Sequence, residues 1–215
     1  DTHKMIEEYM LLANKYVSKF ITTKQEEKNG EGNAICVYRV HDKPDPDKMH
    51  DLDLYIRGLG YHVRFMDGLI PSQELNSLLL KMGQRPEKTL LQMHITRAMA
   101  KAIYSTRNIG HYGLAFDYYS HFTSPIRRYP DVLTHRLLMR VLEGDYPREE
   151  ERKLFDSLCM QASRREKEAA DAERGSIKYK QVEYMSYRVG EEFDGMVSGI
   201  SEWGLYVEEK KSKCE

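Results

Sequence analysis

His121-Phe122-Thr123-Ser124-Pro125-Ile126-Arg127-Arg128-Tyr129-Pro130-Asp131 is the stretch on which the reading of this chain turns. It breaks a helical rhythm, and a new helix follows directly, Asp131 to Glu143, with Pro130 near its first turn and Gly144 past its end. Arg127, Arg128, Arg136 and Arg140 stand against a single Asp131, so the segment is locally basic. Adjacent arginines on a non-helical bend, with Thr123, Ser124, Phe122 and Tyr129 beside them, suit a phosphate–ribose backbone. Guanidinium forks bind phosphate oxygens in pairs, and aromatic rings stack on bases. The same arginine pair equally suits a helix junction in which guanidiniums bridge buried carboxylates. Composition leaves both open.

Working outward, residues 105–130 lack helical periodicity, and Gly110 and Gly113 flank a short candidate strand, Leu114-Ala115-Phe116. Upstream, Ser72 to Met82 and Glu87 to Tyr104 read as helices, the second with Leu90, Leu91, His94, Ile95, Ala98, Met99, Ala102 and Ile103 on a broad face. Ala34 to Val40 is β-branched and aromatic enough for a strand. Asp42-Lys43-Pro44-Asp45-Pro46-Asp47 is a turn leading into a helix that ends near Gly58 or Gly60. At the start, Met5, Tyr9, Leu12, Tyr16 and Phe20 recur every three or four residues and predict a helix with an apolar face that needs a partner surface. Thr22 to Asn33 is polar and reads as a solvated loop. Downstream, Arg148 to about Tyr184 is highly charged and helical in pattern, with Gly175 as an interruption. Phe193 to Val207 then reads as strand, tight turn, strand.

The 215 residues are 40% hydrophobic and 31% charged, which argues against global disorder. Lysine and arginine number 33 and the acids 34, for a net charge of -1, so any nucleic-acid site must be a local basic patch. No apolar run is long enough to span a bilayer, and the first residues lack the layout of a signal peptide. Cys36, Cys159 and Cys214 are odd in number and far apart, which predicts free thiols and a cytoplasmic location. An opening Asp1 predicts a piece of a longer chain.

Two other clusters carry weaker signals. Asp42, Asp45, Asp47, Asp51 and Asp53 could gather a hard cation. Their spacing fits no calcium loop, and caps and first-turn acids explain them better. The eight histidines have no metal-ligand spacing with each other or with cysteine, and a Ser124–His121 nucleophile lacks any supporting motif.

His111-Tyr112-Gly113-Leu114-Ala115-Phe116, followed by Tyr119 to Asp131 and by His135-Arg136, resembles the signature of the ribonuclease II and ribonuclease R (RNB) family. The likeness is strongest to its bacterial ribonuclease R branch. Arg97 to Ser105, Ile6 to Asn14 and Val37 to Pro44 fit the same family, so the resemblance covers nearly the whole chain. Val189 to Glu208 looks like the first two strands of an S1 domain, an OB-type barrel. The implied fold is α+β: residues 1–186 as the mostly helical C-terminal part of an RNB catalytic domain, and 187–215 as an incomplete S1 barrel. The implied activity of the parent protein is processive 3′→5′ hydrolysis of RNA to nucleoside 5′-monophosphates. The implied partner is the 3′ end of single-stranded RNA. The implied cofactor is Mg2+, held by aspartates expected upstream of Asp1, which would leave this chain alone inactive.

Residue by residue, the resemblance assigns Arg127 to the scissile phosphate, Glu173 to the 3′-terminal nucleotide, and Glu7 or Glu8 to an RNA sugar. Ser124, Arg128 and Tyr129 are supporting RNA contacts. Trp203 and Tyr206 fall where S1 domains stack bases, although the same rings would suit a barrel core. An RNA-binding chain without activity and a helical scaffold for partner proteins remain as alternatives.

Overall fold

The computed structural model describes residues 1–85 and 87–215. They form two compact units, Asp1–Ser163 and Arg164–Glu215.

The first unit holds most of the helices: α1 (Thr2–Asn29), α2 (Pro46–Gly58), α3 (Ser72–Met82), α4 (Glu87–Ala98) and α5 (Tyr129–Glu143). Strands β1 (Tyr38–Val40) and β2 (Ile103–Ser105) pair antiparallel, with Arg39 opposite Tyr104. One core gathers Ile21 of α1, Ile35 to Tyr38, Leu133, Leu137 and Val141 of α5, and Phe155. A second core lies among α2, α3 and α4 around Met49, Ile56, Leu78 and Leu91. Its first helix starts as the sequence predicts. Asp45 caps α2 by accepting from the Asp47 N–H at 2.9 Å, with Pro46 in the first turn.

Helix α1 departs from its predicted orientation. The apolar stripe faces outward, with Tyr9 65% and Tyr16 60% exposed. The buried side carries Asn14, Ser18, Ile21, Thr22 and Gln25. The helix also continues to Asn29 through the segment expected as a loop, because Thr22 and Gln25 are buried with partners there. The Thr22 hydroxyl donates to the Ser18 carbonyl at 2.9 Å and lies 2.6 Å from the Tyr38 hydroxyl. Gln25 is fully buried; its Nε2 donates to the Ile35 carbonyl and its Oε1 accepts from the Ile35 N–H, both at 2.9 Å. This side chain replaces a neighbouring strand for Ile35. Of the expected strand, Tyr38–Val40 pairs with another strand.

Three further expectations are corrected. The helix predicted to reach Tyr104 stops at Ala98, because Ile103–Ser105 pairs with β1 instead. Leu114-Ala115-Phe116 is not a strand: Tyr112–Leu114 forms one 3-10 turn capped by His111, and Ala115 is left-handed. Gly175 does not interrupt its helix. A short 3-10 turn, Glu149–Glu151, leads into α6 (Arg152–Ser186), which runs unbroken for 35 residues.

The second unit contains the C-terminal part of α6 and the hairpin of β3 (Gly195–Ser201) and β4 (Gly204–Glu209). The hairpin turns at Glu202 and Trp203, with a register shift between Val197 and Gly199. Val197 faces Val207 and Ile200 faces Leu205, so these four apolar side chains share one face of the ribbon. Tyr206, opposite Gly199, takes the other. The end of the chain returns to α6 within this unit: Gln181 Nε2 donates to the Lys213 carbonyl at 2.9 Å, and Cys214 is buried.

Candidate nucleic-acid interface

The segment 121–131 forms a tight turn seated on α1 and α5. Ser124 accepts on its carbonyl from the N–H groups of Arg127 at 3.3 Å and Arg128 at 3.1 Å. Its own N–H donates to Asp131 Oδ1 at 2.7 Å. Asp131 is completely buried in the first turn of α5, where the helix dipole favours a carboxylate. The polar face of α1 straps the segment down: Asn14 Oδ1 accepts from the Phe122 N–H at 2.9 Å, and Asn14 Nδ2 donates to the Tyr119 hydroxyl at 3.2 Å. Ser120 Oγ donates to Ser18 Oγ at 3.0 Å. From α5, His135 stacks on Phe122 at 4.0 Å between ring centroids and donates from Nε2 to its carbonyl at 2.8 Å.

This frame treats the two adjacent arginines differently. Arg128 turns inward and donates from a terminal nitrogen to Asp131 Oδ1 at 2.8 Å. The guanidinium of Arg127 stays exposed and makes no hydrogen bond or ion pair among the described residues. The apex beside it, Ile126, is fully exposed (102%). The two readings that composition left open are thus divided between neighbours. Arg128 bridges to a buried carboxylate, and Arg127 is available to a phosphate.

Beneath the turn lies a cluster of rings. The Tyr104 hydroxyl bonds His121 Nδ1 at 2.8 Å, and Tyr119 meets His121 edge-on at 5.8 Å. Burial, with Arg128, Arg39, His111 and Arg127 nearby, pushes His121 down to about 3. Burial and the neighbouring His41 lower His111 to about 4. At neutral pH both rings are therefore uncharged, and the positive charge here belongs to the arginines. His41 accepts on Nδ1 from the Gly113 N–H at 2.9 Å, so Nε2 carries the proton to the Ala100 carbonyl at 2.7 Å.

The other sequence-derived candidates are placed as follows. Ser124 is half-buried within the turn, and Tyr129 is exposed at the start of α5. Glu7 and Glu8 are both exposed on α1. The helix face separates them. Glu7 lies seven residues before Asn14, which on an α-helix is about 10 Å along the same face, whereas Glu8 points about 120° away. Glu7 is the one that shares the face strapped to the signature turn. In the second unit, Glu173 is exposed on α6, Trp203 sits at the hairpin tip with 93% exposure, and Tyr206 is exposed on β4. Among the described residues, the acidic cluster at 42–53 does not gather into a cation site. Asp45 caps α2, Asp53 pairs with Arg57 at 2.8 Å, and no three His, Cys, Asp or Glu side chains among the described residues are placed to share a cation.

Sequence reasoning did not find Asn14, Ser18, Asp131 or His135 as builders of the site. A repeat of Asn14, Ser18, Thr22 and Gln25 every three or four residues was visible, but it reads as a solvated stripe without knowledge of its distant partners.

The fold and this turn define a class. Residues 1–144 match the RNB domain, and the chain belongs to the RNB domain family. The ribonuclease R of Aquifex aeolicus is 37% identical over 99% of this chain and 29% of that protein. In structure, the chain superposes on Mycoplasma genitalium RNase R in complex with ribose-methylated single-stranded RNA with a TM-score of 0.85. The identity there is 26%, over 98% of this chain and 32% of that one. The same protein in complex with double-stranded RNA gives 0.84 at 26% identity, over 99% and 37%. The chain thus spans under a third of the curated relative's length and about a third of the solved chains.

Proposed function

We propose that this chain supplies the RNA-gripping part of a processive 3′→5′ exoribonuclease that releases nucleoside 5′-monophosphates. The observation that carries the reading is the pair of arginines: Arg127 exposed and unpaired among the described residues at a hydrogen-bonded turn, Arg128 withdrawn onto Asp131. An exposed guanidinium on a turn held by side-chain and backbone hydrogen bonds is pre-aimed, so little reorganisation is needed when charge develops on a phosphate. Glu7 contacts a sugar from the same face of α1, and Glu173 lies near the 3′-terminal nucleotide. The hairpin opens an S1-type barrel in which Trp203 and Tyr206 stack bases. RNA enters by its 3′ end, the setting is cytoplasmic, and the divalent metal is held by carboxylates that this chain does not carry. The chain alone therefore binds RNA without cutting it.

Three measurements test this. Titrating the 215-residue chain with a labelled single-stranded RNA over a salt series should give a steep slope of log affinity against log salt. Arg127→Ala should flatten it by about 0.7, one single-strand phosphate contact. Mononucleotide release in the presence of magnesium is expected to be absent. Exchanging the chain for the matching segment of the Aquifex aeolicus ribonuclease R gives the kinetic test. There Arg127→Ala should lower kcat by about 10²–10³-fold, by analogy with loss of one oxyanion donor, with a smaller effect on KM. Arg127→Lys should recover little, because an ammonium offers no paired fork. Salt-independent binding, or an Arg127→Lys enzyme as fast as the parent, overturns the reading.

A further inference from the structure

The ion pair beneath the turn does more than close it. We propose that Asp131 is a positioning residue that selects which of two adjacent arginines faces the RNA, by holding Arg128 inward so that Arg127 alone meets the phosphate. This rests on the function proposed above. Arg127 and Arg128 are neighbours in sequence and identical in chemistry, so nothing intrinsic distinguishes them as phosphate ligands. Their surroundings do. Asp131 Oδ1 holds the Ser124 N–H at 2.7 Å and an Arg128 terminal nitrogen at 2.8 Å. The carboxylate is fully buried and the Arg128 side chain only 21% exposed.

Two more atoms of the pair are buried without a hydrogen-bond partner, Arg128 Nε and Asp131 Oδ2. One is a donor and the other an acceptor, the two atoms that complete a side-on fork between guanidinium and carboxylate. Both unpaired atoms thus belong to the one ion pair, which keeps guanidinium and carboxylate together in the buried site. Taking Arg128 out to a phosphate would instead strand a buried carboxylate, which is strongly unfavourable. The cost of exchanging the two arginines is therefore set by Asp131, not by the RNA.

The test uses an arginine-specific dicarbonyl reagent on the 215-residue chain, read by peptide mass, together with the salt series. In the wild-type chain Arg127 should react several-fold faster than Arg128, and RNA should protect Arg127. Asp131→Asn keeps an acceptor for the Ser124 N–H and removes the charge that holds Arg128. Arg128 should then become reactive, and the salt slope should steepen by about 0.7. In Arg127→Ala/Asp131→Asn the slope lost with Arg127 should return, because Arg128 takes its place; a purely structural role for Asp131 would give no such rescue. Equal reactivity of the two arginines in the wild type, or an Arg128 that stays protected in folded Asp131→Asn, overturns the proposal. If Asp131→Asn does not fold, the wild-type reactivity ratio decides. Failure of the function itself looks different: wild-type RNA binding would then be absent or indifferent to Arg127→Ala.

Discussion

Replacing Gln25 by glutamate should make the first unit's stability depend on pH in a way that isolates one side chain. Gln25 is fully buried and bonded through both amide atoms to the backbone of Ile35. A protonated glutamic acid has the same shape, with a hydroxyl to donate to the Ile35 carbonyl and a carbonyl to accept its N–H. An ionised one cannot donate, and it places charge in an apolar core. The folded pKa of the introduced carboxyl must therefore lie above its unfolded value of about 4.3. Below that value the Gln25→Glu variant should match wild type. As pH rises the unfolded chain ionises first, and folded stability falls by about 1.4 kcal/mol per pH unit. With the folded carboxyl still protonated at pH 7, the loss there reaches its upper bound of about 3.7 kcal/mol, a large part of a domain's typical 5–15 kcal/mol. Gln25→Ala leaves two buried backbone groups unpaired at every pH and should cost about 2–6 kcal/mol, without recovery in acid. Differences in urea unfolding free energy between variant and wild type, followed by circular dichroism at pH 4.5 and 7, measure both. Trp203 fluorescence does not serve, because that ring belongs to the other unit. A Gln25→Glu cost that is equal at the two pH values, or below about 1 kcal/mol at pH 7, would refute the role given to this side chain.

Two further outcomes are expected. His121 and His111 are held well below an unfolded histidine, so the unfolded chain takes up their protons first. Wild-type stability should decline as pH falls from about 6.5 toward 4, by up to about 1.4 kcal/mol per pH unit for His121 and less for half-exposed His111. Melting curves of wild type and His121→Gln, which keeps an acceptor for Tyr104, should diverge over that range, and parallel declines would exclude His121 as a source. A Cβ at Gly113 would lie 3.0 Å from His41 Nδ1 and 3.2 Å from Cε1, against a ring pinned at both nitrogens. Gly113→Ala should therefore cost about 1–3 kcal/mol and lower the melting temperature measurably, and an unchanged melt would show that the ring gives way freely.

What the sequence made legible were features whose cause is local. Asp45 and Pro46 open α2, Pro130 and Gly144 bound α5, and Glu202-Trp203 turns the hairpin, each through residues within a few positions. The RNB signature pointed to the turn at Arg127 for the same reason. What it hid were features whose partners lie far along the chain. Asn14 is buried because Tyr119 and Phe122, more than 100 residues away, supply its bonds. Ile103–Ser105 is a strand because Tyr38–Val40 lies beside it, although its own pattern continues a helix. The division between Arg127 and Arg128 needed the position of a buried carboxylate, which a run of adjacent letters does not give.

The inward polar face of α1 also fixes that helix in phase. A helix seated by a stripe of leucines can turn several degrees or creep along its axis and keep most of its attraction, since that attraction has no direction. Helix α1 is indexed instead, like a keyed shaft. A slip of one residue turns it by about 100°. Lys15 and Lys19 would then stand where Asn14 and Ser18 now meet Phe122 and Ser120, and every bond to the signature turn would be lost at once. Glu7, two turns along the same face, takes its bearing from that key.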